Sequence, residues 1–390
     1  MTFDGSDSSS MTIGQKLWQV NWSLIFFLCI LVGIGSAMLY SAADANWSPW
    51  AERQLIRFGS SLLILLIIAL TDIRFWLSYA YTIYLLVFGL LIGVEVMGII
   101  GMGAQRWINL GFVQMQPSEI MKVALVLALA RYFHGLSQID IRRPTFLIIP
   151  LIMVLAPVFL LLRQPDLGTA IMLTMTAGVI FFLAGVRAWH FGLVIGGMIA
   201  ALPIGWTMLH DYQKNRILTF LNPENDPLGA GYHIMQSKIA LGSGGLLGKG
   251  YLGGTQSQLN FLPEKQTDFI FTMLAEEFGM IGGLLLLLIY VIIIIYGFVI
   301  ALRVRNQFGR LLALGLIGNF FLYIFINIAM VMGLLPIVGI PLPLVSYGGT
   351  AMLSIMIGFG FIICANVHRE VRVGRYGLND GSDGRRILKG

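Results

Sequence analysis

The chain has 390 residues, of which 57% are hydrophobic and only 11% are charged. Soluble domains carry about 25% charged residues, so this composition excludes a water-soluble or disordered protein and indicates an integral membrane protein. The net charge of +6 is accompanied by long uncharged stretches, which excludes a nucleic-acid-binding protein. Cys29 and Cys364 lie in apolar runs near opposite ends of the chain, so neither a disulfide framework nor a cysteine-based zinc site is predicted.

Ten apolar runs are candidates to cross a bilayer. A hydrocarbon core of about 30 Å needs roughly 20 mostly apolar residues in a helix. The runs lie within residues 21–41, 56–71, 76–97, 119–133, 146–162, 168–186, 190–209, 278–302, 311–334 and 344–366. We therefore predict an all-α polytopic membrane protein with ten transmembrane helices. The polar segment before the first run is too long for a signal peptide's basic region, so that run is predicted to be retained.

The basic residues predict the orientation. On alternate sides of the ten runs they number fifteen and ten, and five of the ten fall in one long loop. The positive-inside rule gives long loops little weight, so both termini are predicted to be cytoplasmic. This division gives a cytoplasmic tail at 1–19, a membrane domain at 20–366 with an extracytoplasmic loop at 210–277, and a basic cytoplasmic tail at 367–390.

A connector as long as residues 210–277 usually serves a function. Its glycine-rich run, GSGGLLGKGYLGG, is not a Walker phosphate loop, because it lacks the first glycine and the Ser or Thr after Lys249. The segment still suits close approach to an anionic headgroup, with Lys238 and Lys249 as its cations. A merely flexible loop is the alternative that these residues leave open.

Acidic residues beside apolar runs are informative, because a charge near hydrocarbon costs at least about 2.5 kcal/mol and needs a partner, water or a role. Five residues stand out: Glu119, Asp166, Asp268, Glu276 and Glu277. Glu119 and Lys122 are three residues apart at the start of a predicted helix, so they share a face and can pair. A purely structural role for Glu119 stays open, since Pro117 and the first turn after it also form an ordinary helix start.

Asp166 and Asp268 each have two interpretations. Asp166 follows Arg163 on a short outward connector, where it either caps the next helix or contacts a ligand. Asp268 precedes an apolar run by about ten residues and is predicted to face an outer vestibule. A favourable acid at a helix N-terminus is the alternative for Asp268.

Three outward cations lie on separate segments: Arg106, Lys122 and Arg216. Where such cations converge, the phosphate or pyrophosphate of a lipid carrier is a suitable ligand, because its tail stays in the bilayer. Separate contacts with solvent or lipid headgroups are the alternative for each cation.

Four segments together resemble one family: QRWINLGFVQMQPSE, LLRQPDLGTA, the run from FLNPENDPLGAGYHIMQ to TDFIFTMLAEEFG, and GLLPIVGIPLPLVSYGGTAML. They resemble the SEDS family (shape, elongation, division and sporulation) of polytopic peptidoglycan polymerases. The resemblance covers about residues 20–370 and is greater to the elongation members than to the division members.

The resemblance implies ten transmembrane helices and glycosyltransferase activity on lipid II at the outer face of the bacterial cytoplasmic membrane. It implies that Asp268 is the essential catalytic residue, that Glu119 and Lys122 are the family's functional Glu and Lys, and that Asp166 is a further functional acid. It also implies a class B penicillin-binding protein as transpeptidase partner, together with other membrane proteins of the rod complex.

In family terms, a donor with an α-pyrophosphate and a product with a β-1,4 linkage indicate a single inverting displacement. Asp268 would then take the proton from the acceptor 4-hydroxyl, while Glu119 orients a neighbouring lysine. Charge on the departing pyrophosphate is offset by four cations, Arg106, Lys122, Arg216 and Lys238.

Two other functions are weighed against a polymerase. A lipid-precursor flippase or transporter is compatible with the Gly- and Pro-interrupted segments, although the acids cluster toward one face and no internal repeat is found. A non-catalytic scaffold for a transpeptidase is compatible with the apolar surfaces. No His or Cys cluster indicates a dedicated metal site, so no cofactor is predicted, and a divalent cation remains compatible with the sequence.

Overall fold

The computed structural model describes residues 12–101, 104–109, 111, 114–208, 214, 218–220, 222, 230–258, 264–371 and 373–374. In chain order its helices are α1 Ile13–Gln19, α2 Trp22–Ala42, α3 Trp50–Leu70, α4 Ile73–Met97, α5 Pro117–His134, α6 Gln138–Ile141, α7 Ile148–Arg163, α8 Leu167–Ala184, α9 Ala188–Met208, α10 Ala230–Ser243, α11 Thr255–Gln258, α12 Ile270–Arg303, α13 Gln307–Val331 and α14 Gly349–Val367. A 3-10 turn, Pro144–Leu147, leads into α7.

Eight of the helices in this described part of the chain are long and apolar enough to cross a membrane: α2, α3, α4, α7, α8, α12, α13 and α14. The expectation of a predominantly helical, multi-pass membrane protein is thereby confirmed. The two remaining predicted runs correspond to α5 and α9, which are helical over 18 and 21 residues. The count of ten spans stays a prediction.

Polar residues at the helix starts explain several boundaries. Asn21, Asp72, Asp166 and Asn306 each accept a hydrogen bond from a backbone N–H in the first turn of α2, α4, α8 and α13 respectively. Such caps satisfy donors that have no partner within the helix. In this way short polar connectors end one apolar helix and begin the next.

Helices α13 and α14 form the centre of the bundle. In their most apolar stretches, 72% of the residues of α13 and 89% of those of α14 are buried, compared with 22% for the helix that includes α7. Close approach needs small residues: a side-chain carbon at Gly315 of α13 would lie 2.9 Å from both Val126 of α5 and Ile180 of α8. Helices α5, α8 and α13 therefore pack tightly, while α7 presents most of its surface outward.

A small antiparallel sheet precedes α5 and was not expected from the sequence. Its strands are β1 Ile99–Gly101, β2 Ala104–Asn109 and β3 Gln114–Met115, in the order β1-β2-β3. Ile99 pairs with Trp107, and Ile108 pairs with Met115. The sheet has a consequence for the site, because Arg106 lies on its central strand.

Helix α12 begins at Ile270, so its first two turns precede the apolar run predicted at 278–302 and lie in the segment predicted to be the large loop. Its backbone is non-helical at Gly279, where φ is 67° and ψ is −165°. Only glycine adopts this region without strain. The break separates a short first segment of the helix, which follows Asp268, from the long apolar segment.

Candidate active site

The turn that carries Asp268 is fixed through three successive backbone carbonyls. The Gln266 carbonyl accepts a hydrogen bond from the Tyr347 N–H at 2.9 Å, and the Thr267 carbonyl accepts one from the Ser346 hydroxyl. The Asp268 carbonyl accepts a hydrogen bond from the Asn327 side-chain amide at 3.0 Å. The donors come from α13 and from the segment before α14, so tertiary contacts determine the position of this acid.

The Asp268 side chain is half-buried and lies beside Gly339. A side-chain carbon at Gly339 would lie 3.5 Å from Asp268 Oδ2, and the φ of +71° at this glycine disfavours any other residue. Asp268 does not cap α12, since Phe269 occupies the N-cap position without a side-chain hydrogen bond. Thr267 instead donates its hydroxyl to the Glu264 carbonyl at 3.2 Å. The carboxylate therefore lies beside the 333–348 segment at Gly339.

Asn327 links the Asp268 turn to that segment. It is fully buried, and its Nδ2 also donates to the Ile340 carbonyl at 2.7 Å. Tyr323 lies one turn earlier on α13 and packs with Ile340 and Met172 in a small apolar cluster. Helix α13 therefore fixes the Asp268 turn through Asn327 and contacts a second polar group through Tyr323.

That second group is the predicted Glu119–Lys122 pair, which is confirmed. Lys122 Nζ lies 2.7 Å from Glu119 Oε1, and both residues are buried. The Tyr323 hydroxyl donates to Glu119 Oε2, and the Ser354 hydroxyl donates to the same oxygen at 3.4 Å. The ammonium also lies 4.3 Å from the centre of the Tyr323 ring. Hydrogen bonds and a cation–π contact together compensate two charges removed from water.

Burial limits what Lys122 can contact. Lys122 is only 2% exposed, and its ammonium is engaged by Glu119 and by the Tyr323 ring. Direct contact with a ligand therefore requires this pair to open. In the arrangement described here, Lys122 is a buried partner of Glu119.

Asp166 caps α8, as one of its two interpretations predicted, and it is also bonded to the sheet region. Its Oδ1 accepts from the Thr169 N–H at 3.4 Å and lies 3.9 Å from Arg106 Nη1. Gln116 Nε2 donates to the other oxygen at 3.3 Å. Arg106 in addition donates to the Pro165 carbonyl at 2.5 Å, and its side chain is 29% exposed. Arg106 thus keeps an accessible face while it is positioned by Asp166.

The 333–348 segment brings these groups together. A side-chain carbon at Gly168, in the first turn of α8, would lie 2.5 Å from the Val338 carbonyl, next to the residue that contacts Asp268. The Gln116 N–H donates to the Thr350 hydroxyl at 3.4 Å, which joins the start of α5 to the start of α14. Asp268, Asp166 and the Glu119 pair are therefore arranged around one loop at one end of the bundle.

Two further predicted cations have different outcomes. Lys238 on α10 is exposed, and its side chain passes Gly333, where an added carbon would lie 2.3 Å from Lys238 Cε. The neighbouring Ser237 donates to the Val331 carbonyl at 2.9 Å, so α10 is attached to the same end of α13. Arg216 lies outside the described residues.

Arg57 was missed by the sequence analysis. Its guanidinium lies 4.8 Å from the centre of the Tyr347 ring and against Gly349, where an added carbon would be 3.0 Å away. Tyr347 is the residue that fixes the Gln266 carbonyl, so Arg57 adds a cation beside the Asp268 turn. A basic residue in the polar first half of an apolar helix is the only signal that the sequence offers.

The glycine-rich run of the large loop has a structural role that its sequence did not reveal. It pairs with the broken turn of α12: the Lys249 N–H donates to the Glu276 carbonyl at 3.0 Å, and the Met280 N–H donates to the Gly245 carbonyl at 2.9 Å. Buried Glu276 Oε1 accepts from Lys249 Nζ at 2.8 Å and from the Gln256 N–H at 3.0 Å. Lys249 is therefore bonded to Glu276, and the loop is attached to the helix that follows Asp268.

Within the described residues, no group of three or more His, Cys, Asp or Glu side chains could hold a metal ion. Glu119, Asp166 and Glu276 are each paired with a cation or a hydroxyl donor. The chemistry that this arrangement offers is that of one half-exposed carboxylate with several cations around it.

Known proteins give matches over nearly the whole chain. The cell cycle protein family of FtsW, RodA and SpoVE matches residues 15–372. The peptidoglycan glycosyltransferase MrdB of Escherichia coli is 44% identical over 351 residues, covering 89% of this chain and 93% of that protein.

Solved structures give the same result. A peptidoglycan synthase complex described as coordinating polymerization and crosslinking has a chain that matches with a TM-score of 0.78 at 30% identity, covering 90% of this chain and 98% of that one. The rod shape determining protein RodA of Thermus thermophilus matches with a TM-score of 0.68 at 27% identity, covering 90% and 97%. With a family match over most of its length and the site geometry described above, the chain belongs to the FtsW/RodA/SpoVE family of cell cycle proteins.

Proposed function

We propose that this protein is a peptidoglycan glycosyltransferase that polymerises lipid II into glycan strands during cell elongation. Its membership of the family and its 44% identity to the glycosyltransferase MrdB support this activity. The structural match to RodA, a rod shape determining protein, supports the assignment to elongation. The observation in the structure that carries the proposal is the triple fixation of the Asp268 turn, because a general base must be held in place to act on one hydroxyl.

Asp268 is the proposed general base. It takes the proton from the acceptor 4-hydroxyl as that oxygen attacks the anomeric carbon of the donor, and the bond to the donor's diphosphate breaks. One carboxylate suffices for this single inverting displacement, since no glycosyl-enzyme intermediate is formed. Its neighbours Gly339 and Asn327 support this role, because the first allows the 333–348 segment to turn beside the carboxylate and the second fixes the backbone.

The proposed partners of the departing diphosphate are the cations near the Asp268 turn that retain exposure. Arg106 forms an ion pair with Asp166, the Arg57 guanidinium lies over the Tyr347 ring, and Lys238 is exposed on α10. Guanidinium groups suit phosphate oxygens because they offer paired donors.

The buried pair has a supporting place in this scheme. Glu119 holds Lys122, and Tyr323 joins both to the helix that fixes Asp268. Lys122 would reach the diphosphate on opening of the pair, and Arg216 completes the proposed set of cations.

The proposed topology has ten transmembrane helices, cytoplasmic termini and an extracytoplasmic active site that includes the large loop. The helical α5 and α9 support the two spans beyond the eight candidates. The proposed partner is a class B penicillin-binding protein together with other membrane proteins of the rod complex. The match to a chain of a peptidoglycan synthase complex supports such a partner.

Polymerisation of lipid II by the purified full-length chain tests the proposal. We expect glycan strands from the chain alone in detergent or vesicles, with a higher rate when a class B penicillin-binding protein is added. A scaffold would give strands only with a second polymerase present. A flippase would move lipid II headgroups across sealed vesicles without forming strands, and either result would contradict the proposal.

A further inference from the structure

A basic cavity lies at the opposite end of the bundle from Asp268. It has a volume of about 440 Å³ and is lined by five residues: Ile139, Arg142, Arg143, Pro144 and Arg187. The first four come from α6 and the turn after it, and Arg187 comes from the connection between α8 and α9.

The position of this basic cavity follows from the helices that lead to it. Glu119 lies in the first turn of α5 and Asp166 caps α8, whereas the cavity residues follow the C-terminal ends of these two helices. Eighteen helical residues span about 27 Å, so the cavity and the candidate active site lie on opposite faces of a bilayer. The excess of basic residues predicts that the cavity's face is cytoplasmic.

Among the described residues, no acid neutralises the three arginines, since none of them forms an ion pair there. The nearest acid in sequence, Asp140, accepts the Ser137 hydroxyl at 2.7 Å and does not line the cavity. Three like charges around one concavity repel each other, so a bound anion would be stabilised there.

The surroundings resemble the boundary between headgroups and acyl chains. Ile139 is 70% exposed on the cavity wall, and Trp189, two residues after Arg187, is 53% exposed. Exposed tryptophan is typical of the membrane interface, and arginine binds phosphate oxygens with paired donors. A volume of about 440 Å³ is also within the range of small-ligand sites.

We propose that this basic cavity binds the phosphate-bearing headgroup of an anionic phospholipid of the inner leaflet. The headgroup phosphate would lie among the three guanidinium groups, and the acyl chains would extend past Ile139 into the bilayer. A free phosphate has the same charge chemistry, but it would not use the exposed apolar wall.

The test measures lipid binding to the purified full-length chain by native mass spectrometry. The probes are phosphatidylglycerol and cardiolipin, with phosphatidylethanolamine as the zwitterionic comparison. The variant replaces the three cavity arginines: Arg142→Gln, Arg143→Gln and Arg187→Gln. The matched control removes the same charge from the end of α12, its connection to α13 and the first turn of α13, on the same face: Arg303→Gln, Arg305→Gln and Arg310→Gln. None of these six lines the candidate active site, so lipid II polymerisation by each variant in detergent is expected to be unchanged.

We expect the cavity variant to weaken binding of the anionic lipids on the order of 100-fold, from three charges near a phosphate, and the control variant to weaken it by a few-fold at most. A single Arg187→Gln variant, with a correspondingly smaller loss, replaces the triple variant if that variant does not fold. Equal losses in the cavity and control variants would overturn the proposal, because they indicate diffuse charge. Displacement of the lipids by inorganic phosphate at similar concentration would also overturn it in favour of a soluble anion.

Discussion

Asn327 is expected to control both stability and turnover, because its one amide group donates to two carbonyls. Replacing it by alanine leaves the Ile340 and Asp268 carbonyls without this donor. An unsatisfied buried polar group costs about 1–3 kcal/mol, so the loss at two carbonyls in Asn327→Ala is expected to lower the free energy of unfolding by about 2–6 kcal/mol. It also removes the one of the three hydrogen bonds that holds the Asp268 carbonyl itself, and a displacement of about 1 Å at a reacting group lowers a rate by roughly 100-fold.

The matched control for Asn327→Ala is Asn319→Ala. Asn319 is buried on the same helix and accepts one hydrogen bond, from Thr176 at 3.0 Å, but it does not contact the Asp268 turn. We expect this control to lose about 1–2 kcal/mol of stability while its turnover per folded molecule stays near wild type. Thermal unfolding in detergent gives the folded fraction, and initial rates of lipid II polymerisation give the turnover. Equal turnover per folded molecule in the two variants would refute the claim that Asn327 positions Asp268.

Three further sets of substitutions test the packing around the site. Glu119→Gln and Lys122→Met should each lower the free energy of unfolding by about 3–5 kcal/mol, because each leaves a buried charge without its partner. The double variant should lose much less than the sum of the two, and additive losses in thermal unfolding would contradict a coupled pair. Gly279→Ala should lower the free energy of unfolding by about 1–3 kcal/mol through its backbone conformation alone. Gly59→Ala is the control, because nothing lies within 4 Å of an added carbon there, and similar unfolding temperatures for the two variants would argue against the glycine requirement. Asp166→Asn should keep the α8 cap and Asp166→Ala should lose it, so their free energies of unfolding should differ by about 1 kcal/mol. Both variants should weaken lipid II binding, because Arg106 loses the carboxylate that positions it, and unchanged binding would remove Arg106 from the site.

Contacts between neighbours in sequence were predictable. The spacing of Glu119 and Lys122 places them on one face of any helix, and Asp166 stands where the next apolar run begins. The pair and the cap were confirmed because each depends on local geometry. Their tertiary partners were not predicted: Tyr323 is 204 residues from Glu119, and no spacing rule connects them.

The start of α12 shows what the hydropathy of a run leaves out. Glu276 and Glu277 precede the apolar run predicted at 278–302, and that run does not indicate their surroundings. Both are fully buried inside the helix, where Glu276 is bonded to Lys249 and Glu277 accepts the Ser41 hydroxyl. A sequence scan treats such charges as exposed because their partners come from distant segments. The same reason explains why Arg57 and Asn327 were overlooked.

The most direct test of the central claim compares Asp268→Asn with Glu264→Gln in lipid II polymerisation. Both changes remove one acid from the same turn, but the Glu264 side chain accepts local hydrogen bonds from Gln266 and Thr267 and, in the described part of the chain, forms no hydrogen bond or ion pair with the 333–348 segment. We expect Asp268→Asn to bind lipid II normally and to lose turnover by about 100- to 10,000-fold, the usual contribution of a general base, while Glu264→Gln stays active. Normal glycan strands from folded Asp268→Asn would contradict the assignment of Asp268 as the base.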